Sequence, residues 1–284
     1  MVVFPNCKIN LGLNVLRKRD DGYHDLETVF YPIDLNDGLE IIADDTSPGN
    51  AQDSILNVQF SKSGLAIDGN AEDNLCVKAY QLLRKDFPRL PSIKMHLHKS
   101  VPIGAGLGGG SADGAFALKL LNQKFRLGLT TPQLLQYALR LGTDCPFFII
   151  DRPCFAMGRG EILEPMILDL SAFKFAIVNP GVHIGTAEIF SSIIPVVSSK
   201  SIKKIVQQPV QTWKKELRND FETHVFRQYP AIGMIKDELY KVGAVYASMT
   251  GSGSTVYGLF EKDTKLKFSF SSQYLIKELT GQLQ

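Results

Sequence analysis

Cysteine, long apolar runs and an excess of either charge are all scarce in this chain, and each scarcity narrows what it can be. The four cysteines (Cys7, Cys76, Cys145, Cys154) show no Cys-x-x-Cys spacing and no pairing pattern, so four reduced thiols are expected rather than a disulfide framework. No apolar run approaches the roughly 20 residues of a membrane helix. Neither a basic-then-apolar leader nor a transit-peptide composition opens the sequence, and a cytoplasmic protein is expected. The formal net charge is only +2, and the densest basic run, Arg17-Lys18-Arg19, is followed at once by Asp20 and Asp21. That pattern argues against a nucleic-acid-binding stripe. Internal repeats and low-complexity stretches are missing too. What remains, 44% hydrophobic and 21% charged residues over 284 positions, is material for a sizeable core in two domains or one large one.

The first clear element is Cys7–Leu16, where Ile9, Leu11, Leu13 and Val15 alternate with Lys8, Asn10, Gly12 and Asn14. This period of two predicts a strand with one apolar and one polar face. Asp21-Gly22 signals a turn and Leu26–Ile33 a returning strand, hence a hairpin. Further strands are expected at 39–43, 55–60 and 93–99, and a helix over about 74–87 with Asp73 as its cap. Strand-like segments at 154–157, 175–179, 245–249 and 256–260 mix with helices near 187–193 and 231–242. This order of elements predicts an α+β, two-lobed enzyme, divided at the Gly158-Arg159-Gly160 turn into residues 1–157 and 158–284.

The densest motif is Pro102-Ile103-Gly104-Ala105-Gly106-Leu107-Gly108-Gly109-Gly110-Ser111, a glycine loop that leads into a helix over about 111–122. Glycines let backbone N–H groups approach an anion closely, and a following helix adds unsatisfied amides and a positive dipole end. The loop lacks a Gly-Lys-Ser/Thr ending and is therefore no Walker A motif. Gly104, Gly106 and Gly109 satisfy Gly-x-Gly-x-x-Gly, but the next acid after Asp113 is Asp144, beyond two expected helices, so a dinucleotide unit fails. Protein-kinase signatures are absent. The bland alternative is a tight turn feeding a helix with Ser111 as its N-cap; the glycines are denser than a turn needs, which favours phosphate binding, with Ser111 expected to do both jobs. A second helix opens at Thr131-Pro132 and stops near Gly142.

These residues resemble the GHMP kinases. The glycine loop is similar to that family's central motif, Pro5-Asn6-Cys7-Lys8-Ile9-Asn10-Leu11-Gly12-Leu13 to its first, and Met249-Thr250-Gly251-Ser252-Gly253-Ser254 to its third. Four further segments resemble one branch of it: Lys8–Leu11, Asp21-Gly22-Tyr23-His24, Gly142-Thr143-Asp144-Cys145-Pro146-Phe147-Phe148 and Asn219-Asp220. That branch phosphorylates the 2-hydroxyl of a cytidine-diphosphate-linked polyol in non-mevalonate isoprenoid synthesis. The departures are mild: Cys7 replaces a small residue, Cys145 often reads Val, and Gly114 interrupts a usual alanine.

The resemblance implies roles. Asp144 would be the general base for the attacking hydroxyl; the plain alternative is a helix-terminal Asp held by backbone amides. Lys8 would keep that base ionised and steady the transferring charge, where otherwise a solvated strand lysine is expected. ATP, carrying Mg²⁺ on its phosphates without a dedicated protein metal site, would lie on Pro102, Gly104, Gly106, Leu107, Gly108, Gly109, Gly110 and Ser111. Asn74 would approach its adenine, and Gly251, Ser252 and Gly253 would close on the phosphates, support the loop, or form only a hairpin turn. Asn10 would line the acceptor pocket, Tyr23, His24 and Phe190 would hold the cytosine, and Thr186 the sugar alcohol; packing is the alternative for each aromatic. His96 and His98, sharing a face with Lys94 but lacking a third ligand, read as a solvated edge. The rivals are another GHMP kinase acting on homoserine, mevalonate or a sugar, a nucleic-acid-binding module, and a nucleotide-binding pseudo-kinase. The partner expected is a small molecule rather than nucleic acid or membrane, with monomer and homodimer both open.

Overall fold

The structure, a computed structural model, describes residues 1–44, 57–67, 69–185, 188–190, 193–195 and 200–280. By contacts the chain divides into two interleaved units, one of residues 1–7, 35–103 and 109–151, the other of 8–34, 104–108 and 152–284.

The first unit combines a four-stranded sheet with helices. Strands β1 (Val2–Val3), β4 (Gly38–Ala43), β6 (Ile93–Lys99) and β5 (Val58–Gly64) lie side by side in that order, antiparallel except for the parallel β5–β6 pair. Helix α2 (Gly109–Lys124) packs on α1 (Leu75–Asp86), α3 (Thr131–Leu141) and α4 (Cys145–Ile150), and also touches β4. Its inward residues are mostly small (Ala112, Gly114, Ala115, Ala117), which lets the neighbouring helices come close. At Gly114 the approach is tightest: a Cβ there would stand 2.8 Å from Leu75 Cβ, so the glycine accommodates α1 at some cost in helix propensity.

Two boundaries differ from expectation. The cap of α1 is Asn74, whose side chain accepts from the Cys76 N–H at 2.9 Å, while Asp73 ends a preceding 3₁₀ turn, Ala71–Asp73. Helix α2 starts at Gly109, so Ser111 lies within its first turn and is not its cap. The first N–H groups of a helix have no intrahelical acceptor, and glycine is tolerated there although it would weaken an interior turn. Helix α3 has its expected limits, with Thr130 and Gln133 forming a capping box and Gly142 at the end.

The second unit holds two sheets. Strands β2 (Cys7–Lys18, of which all but Cys7 belong to this unit), β3 (His24–Ile33), β7 (Cys154–Gly158) and β8 (Ile162–Pro165) form one. The hairpin turn sits where Asp21-Gly22 predicts it: Arg19 N–H bonds the Tyr23 carbonyl at 2.8 Å. The other sheet runs β10 (Tyr246–Met249), β11 (Val256–Glu261), β9 (Phe173–Asn179), β12 (Leu275–Thr280), antiparallel throughout. Helix Pro230–Lys241 lays Ile232, Ile235 and Leu239 on β10 and β11, in a core with Val178, Phe221, Val225, Met249 and Phe260. No described helix is long and apolar enough to cross a membrane.

Candidate functional site

Strand β2 reads as amphipathic in sequence, yet every residue from Cys7 to Val15 is buried. The polar face is therefore not solvated; it is satisfied by other polar groups, as buried groups must be. Lys8, only 4% exposed, donates to Asn10 Oδ1 at 2.6 Å and to the Gly106 carbonyl at 3.1 Å, with the Phe30 ring 5.0 Å from its ammonium. Asn10 donates to Thr28 Oγ1 at 3.0 Å, and Tyr257 donates to the Asn10 carbonyl at 2.8 Å.

Thr250 joins the three motifs. Its hydroxyl accepts from the Asn10 N–H at 3.0 Å, lies 3.2 Å from Asn10 Oδ1 and 3.0 Å from the Gly106 carbonyl oxygen. Asn219 secures the same hairpin by donating to the carbonyls of Met249 (2.9 Å) and Gly251 (2.8 Å). The segment Thr250–Thr255 is thus both readings at once, the turn between β10 and β11 and a support for the glycine loop. Sequence reasoning assigned no role to Thr250, Thr28 or Tyr257; the place of Thr250 inside the third motif was the available signal.

The loop's carbonyls bond inward. Ala105 O accepts from the Thr255 N–H at 3.3 Å, Gly106 O from Lys8 and Thr250, and Leu107 O from the Lys8 N–H at 2.9 Å. Three successive carbonyls that would repel an anion are thereby committed to protein donors. Gly104, Gly106 and Gly108 all have left-handed backbones (φ +64°, +79° and +69°), a conformation suited to anion-binding concavities. At Gly106 the close approach is absolute, because a Cβ would lie 2.0 Å from the Thr250 carbonyl oxygen.

In the first unit, Gly110 and Asn74 line one cleft of about 180 Å³ with Lys99, Asp113 and the apolar Leu75, Leu97 and Ile103. Asn74 already spends its side-chain oxygen on capping α1. Asp144 is the N-cap residue of α4 and makes no side-chain capping bond there. The next residue, Cys145, is buried, and burial pushes its thiol up to about 12 against the opposing pull of Ser111; burial likewise raises Cys76, and both stay protonated and unreactive.

Beside the hairpin, His24 and Phe190 stack with ring centroids 5.3 Å apart, and Phe190 meets Phe221 edge-on at 4.8 Å. Tyr23 is 56% exposed, with the Arg159 guanidinium 5.0 Å over its ring. Thr186 lies outside the described residues. His96 and His98 bond Ser61 and Ser63 on the outer side of β5 and β6. Among the described residues no group of three or more His, Cys, Asp or Glu could hold a metal.

His24 has its pKa lowered, first by burial and then by the Lys18 charge, and is neutral at pH 7. A depressed folded-state value means that the stability it contributes is present above the ordinary histidine range and is lost as pH falls through the lowered value. Protein stability should therefore fall on the acid side more in the native protein than in His24→Gln. Thermal melts across pH 5–8 check this, and an equal acid-side fall in His24→Gln would assign it to another group.

Residues 74–159 match the family description "GHMP kinases N terminal domain" and residues 201–269 match "GHMP kinases C terminal". A 4-diphosphocytidyl-2-C-methyl-D-erythritol kinase of Bacteroides thetaiotaomicron is 53% identical over 266 residues, 94% of each chain. One of the same name from Cytophaga hutchinsonii is 47% identical over 261 residues, 92% of each. A crystal structure of 4-(cytidine 5'-diphospho)-2C-methyl-D-erythritol kinase is similar with a TM-score of 0.77 and 28% identity, over 91% of this chain and 90% of that one. The Methanococcus jannaschii mevalonate kinase, at 15% identity, TM-score 0.67, and 93% and 92% coverage, is a likeness of fold alone.

Proposed function

The chain belongs to the GHMP kinases, in the group of the 4-diphosphocytidyl-2-C-methyl-D-erythritol kinases, and from that premise we propose how its residues divide the work. It is an ATP-dependent small-molecule kinase. The acceptor is the 2-hydroxyl of 4-diphosphocytidyl-2-C-methyl-D-erythritol, and the products are its 2-phosphate and ADP. This step belongs to non-mevalonate isoprenoid synthesis and takes place in the cytoplasm. The family's domain order favours a division near residue 158 in sequence, since the N-terminal description ends at residue 159 and the C-terminal one begins at 201. By contacts, however, residues 8–34 and 104–108 group with 152–284, so the lobes are not the two sequence halves 1–157 and 158–284.

The observation that carries the kinase reading is the convergence of all three motifs on one hydrogen-bonded cluster: Lys8 and Asn10 from the first, Gly106 from the second, Thr250 from the third. In the proposal the loop amides and the start of α2 receive the ATP phosphates, and the cleft beside Asn74 the nucleoside. Asp144 takes the proton of the attacking hydroxyl, and Lys8 lowers the cost of that deprotonation. Asn10 holds the acceptor, with Thr186 on its polyol. Gly251, Ser252 and Gly253 keep the loop in place against the phosphates. Mg²⁺ would arrive with ATP rather than on a protein site and would supply charge neutralisation.

His24, Phe190 and Tyr23 support the cytidine reading: a stacked pair and an exposed ring under a guanidinium stand together on the hairpin side of this unit. Stacking contributes about 1–3 kcal/mol per base, so an acceptor without its cytidine diphosphate should lose about 5- to 150-fold in kcat/KM. The test is ATP-dependent phosphorylation of the diphosphocytidyl substrate beside the bare polyol phosphate, homoserine and mevalonate. Equal turnover of the first two would overturn the cytidine pocket, and preference for homoserine or mevalonate would move the chain elsewhere in the family.

A further inference from the structure

Three ionisable side chains are enclosed together in the first unit: Lys99, Asp37 and Asp113, with side chains 1%, 0% and 4% exposed. The Lys99 ammonium bonds Asp37 Oδ2 and, at 2.7 Å, Asp113 Oδ2. Asp37 Oδ1 accepts from the N–H groups of Ser100 (2.6 Å) and Val101 (2.9 Å). Asp113 Oδ1 is buried with no hydrogen-bond partner among the described residues.

Their places in the chain give this cluster a purpose. Lys99, Ser100 and Val101 are the residues that lead into the glycine loop, and Asp113 stands on α2, the helix it leads out to. The two ends also touch directly, since a Cβ on Gly109 would lie 2.9 Å from Val101 Cγ1 and 3.3 Å from Lys99 Nζ. Apolar side chains of similar volume would hold β6 to α2 with no ion to desolvate, so a buried ion cluster is poor value as mere glue. What it adds is direction, because a lysine bridging two carboxylates fixes both to within hydrogen-bond geometry.

We propose that Asp113 is a positioning residue for the nucleotide: through Lys99 and Asp37 it holds the exit of the glycine loop against its entry, so that the amides at the start of α2 are set for a polyphosphate before it arrives. This rests on reading the loop as the ATP site.

The cluster also carries a charge consequence. With all three groups ionised it has one positive and two negative charges, a net negative charge close to amides meant for an anion. Burial, with Asp37 beside it, raises Asp113 to about 7 against the opposing pull of Lys99. The other titratable groups around it are Cys76 on α1, kept protonated by burial, and Asp73, which shares the cleft. A bound polyanion favours the protonated carboxyl, so nucleotide binding takes up a proton and weakens as pH rises through about 7.

The experiment is titration calorimetry of the full chain with the non-hydrolysable analogue AMPPNP and Mg²⁺ between pH 6 and 8.5, with acceptor KM measured in parallel. Misplacing a binding loop by an ångström can cost about 10²-fold, so Asp113→Ala should weaken AMPPNP at least about 10-fold while acceptor KM stays within about 2-fold. Asp113→Asn, which keeps an acceptor for Lys99, should restore binding at pH 6 and lose the wild-type weakening at higher pH. The ionisation of the terminal phosphate is common to both proteins and cancels in the comparison. Undiminished AMPPNP binding by Asp113→Ala, or a matching rise in acceptor KM, would overturn the proposal. If Asp113→Ala does not fold, Asp113→Asn decides, and a pH profile identical to wild type overturns it. Failure of the wild type itself to bind AMPPNP would instead remove the ATP-site reading on which the proposal rests.

Discussion

Gly106→Ala should retain the fold but lose about 10²-fold or more in kcat/KM for ATP. The new Cβ would be 2.0 Å from the Thr250 carbonyl oxygen and 2.9 Å from its carbon, so backbone must move on one side or the other. The left-handed backbone at φ +79° adds about 1–2 kcal/mol of strain for any residue bearing a Cβ. Whichever side yields, the Gly106 carbonyl leaves Lys8 and Thr250, which hold it at 3.1 and 3.0 Å. Lys8 then loses a contact that holds its ammonium. The loop would be displaced by about the distance at which positioned groups stop cooperating. The hydrophobic core around β9 and β11 is elsewhere, so circular dichroism and a thermal melt should show a folded protein. Wild-type ATP kinetics in Gly106→Ala would mean that the loop is only a structural turn.

The position of that clash also explains what the sequence could and could not announce. The strand β6 is read with its observed limits because Ile93, Met95 and Leu97 alternate with exposed or half-exposed partners. In β2 the same alternation finds the strand and misjudges its environment. Whether Lys8 is solvated or enclosed depends on Thr250 and Tyr257, more than 240 residues along the chain, and no local pattern reports them. The short helices Ile202–Val206, Val210–Glu216 and Glu222–Gln228 span at most two turns, too little for a helical period to show. Helix α4 is apolar almost throughout, and its buried residues leave no polar face to mark it. The caps at Asn74 and before Ser111 were misplaced by one or two residues, the usual uncertainty of helix ends. For Asp144, local sequence allowed a cap or a base equally. The base reading came from the resemblance.

Asp144→Asn should still bind nucleotide and acceptor and should lose about 10²- to 10⁴-fold in kcat, the usual contribution of a general base. The replacement is nearly isosteric and keeps a hydrogen-bonding side chain at the start of α4, so the helix has no reason to move. An amide oxygen, however, is far too weak a base to take a hydroxyl proton. Lys8→Met should also lower kcat, because the ammonium held by Asn10 and Gly106 is the cation this chemistry calls for. The double variant should lose less than the product of the two single losses, as residues serving one step do. In the rival mechanism Asp144 only orients the hydroxyl, and the proton leaves late and directly to phosphate, which a loose transition state permits. Asp144→Asn would then cost only a few-fold. Measuring kcat for both proteins, with calorimetry to confirm intact binding, separates the two mechanisms. A near-wild-type kcat in Asp144→Asn would leave the proton to the phosphate and Asp144 to positioning.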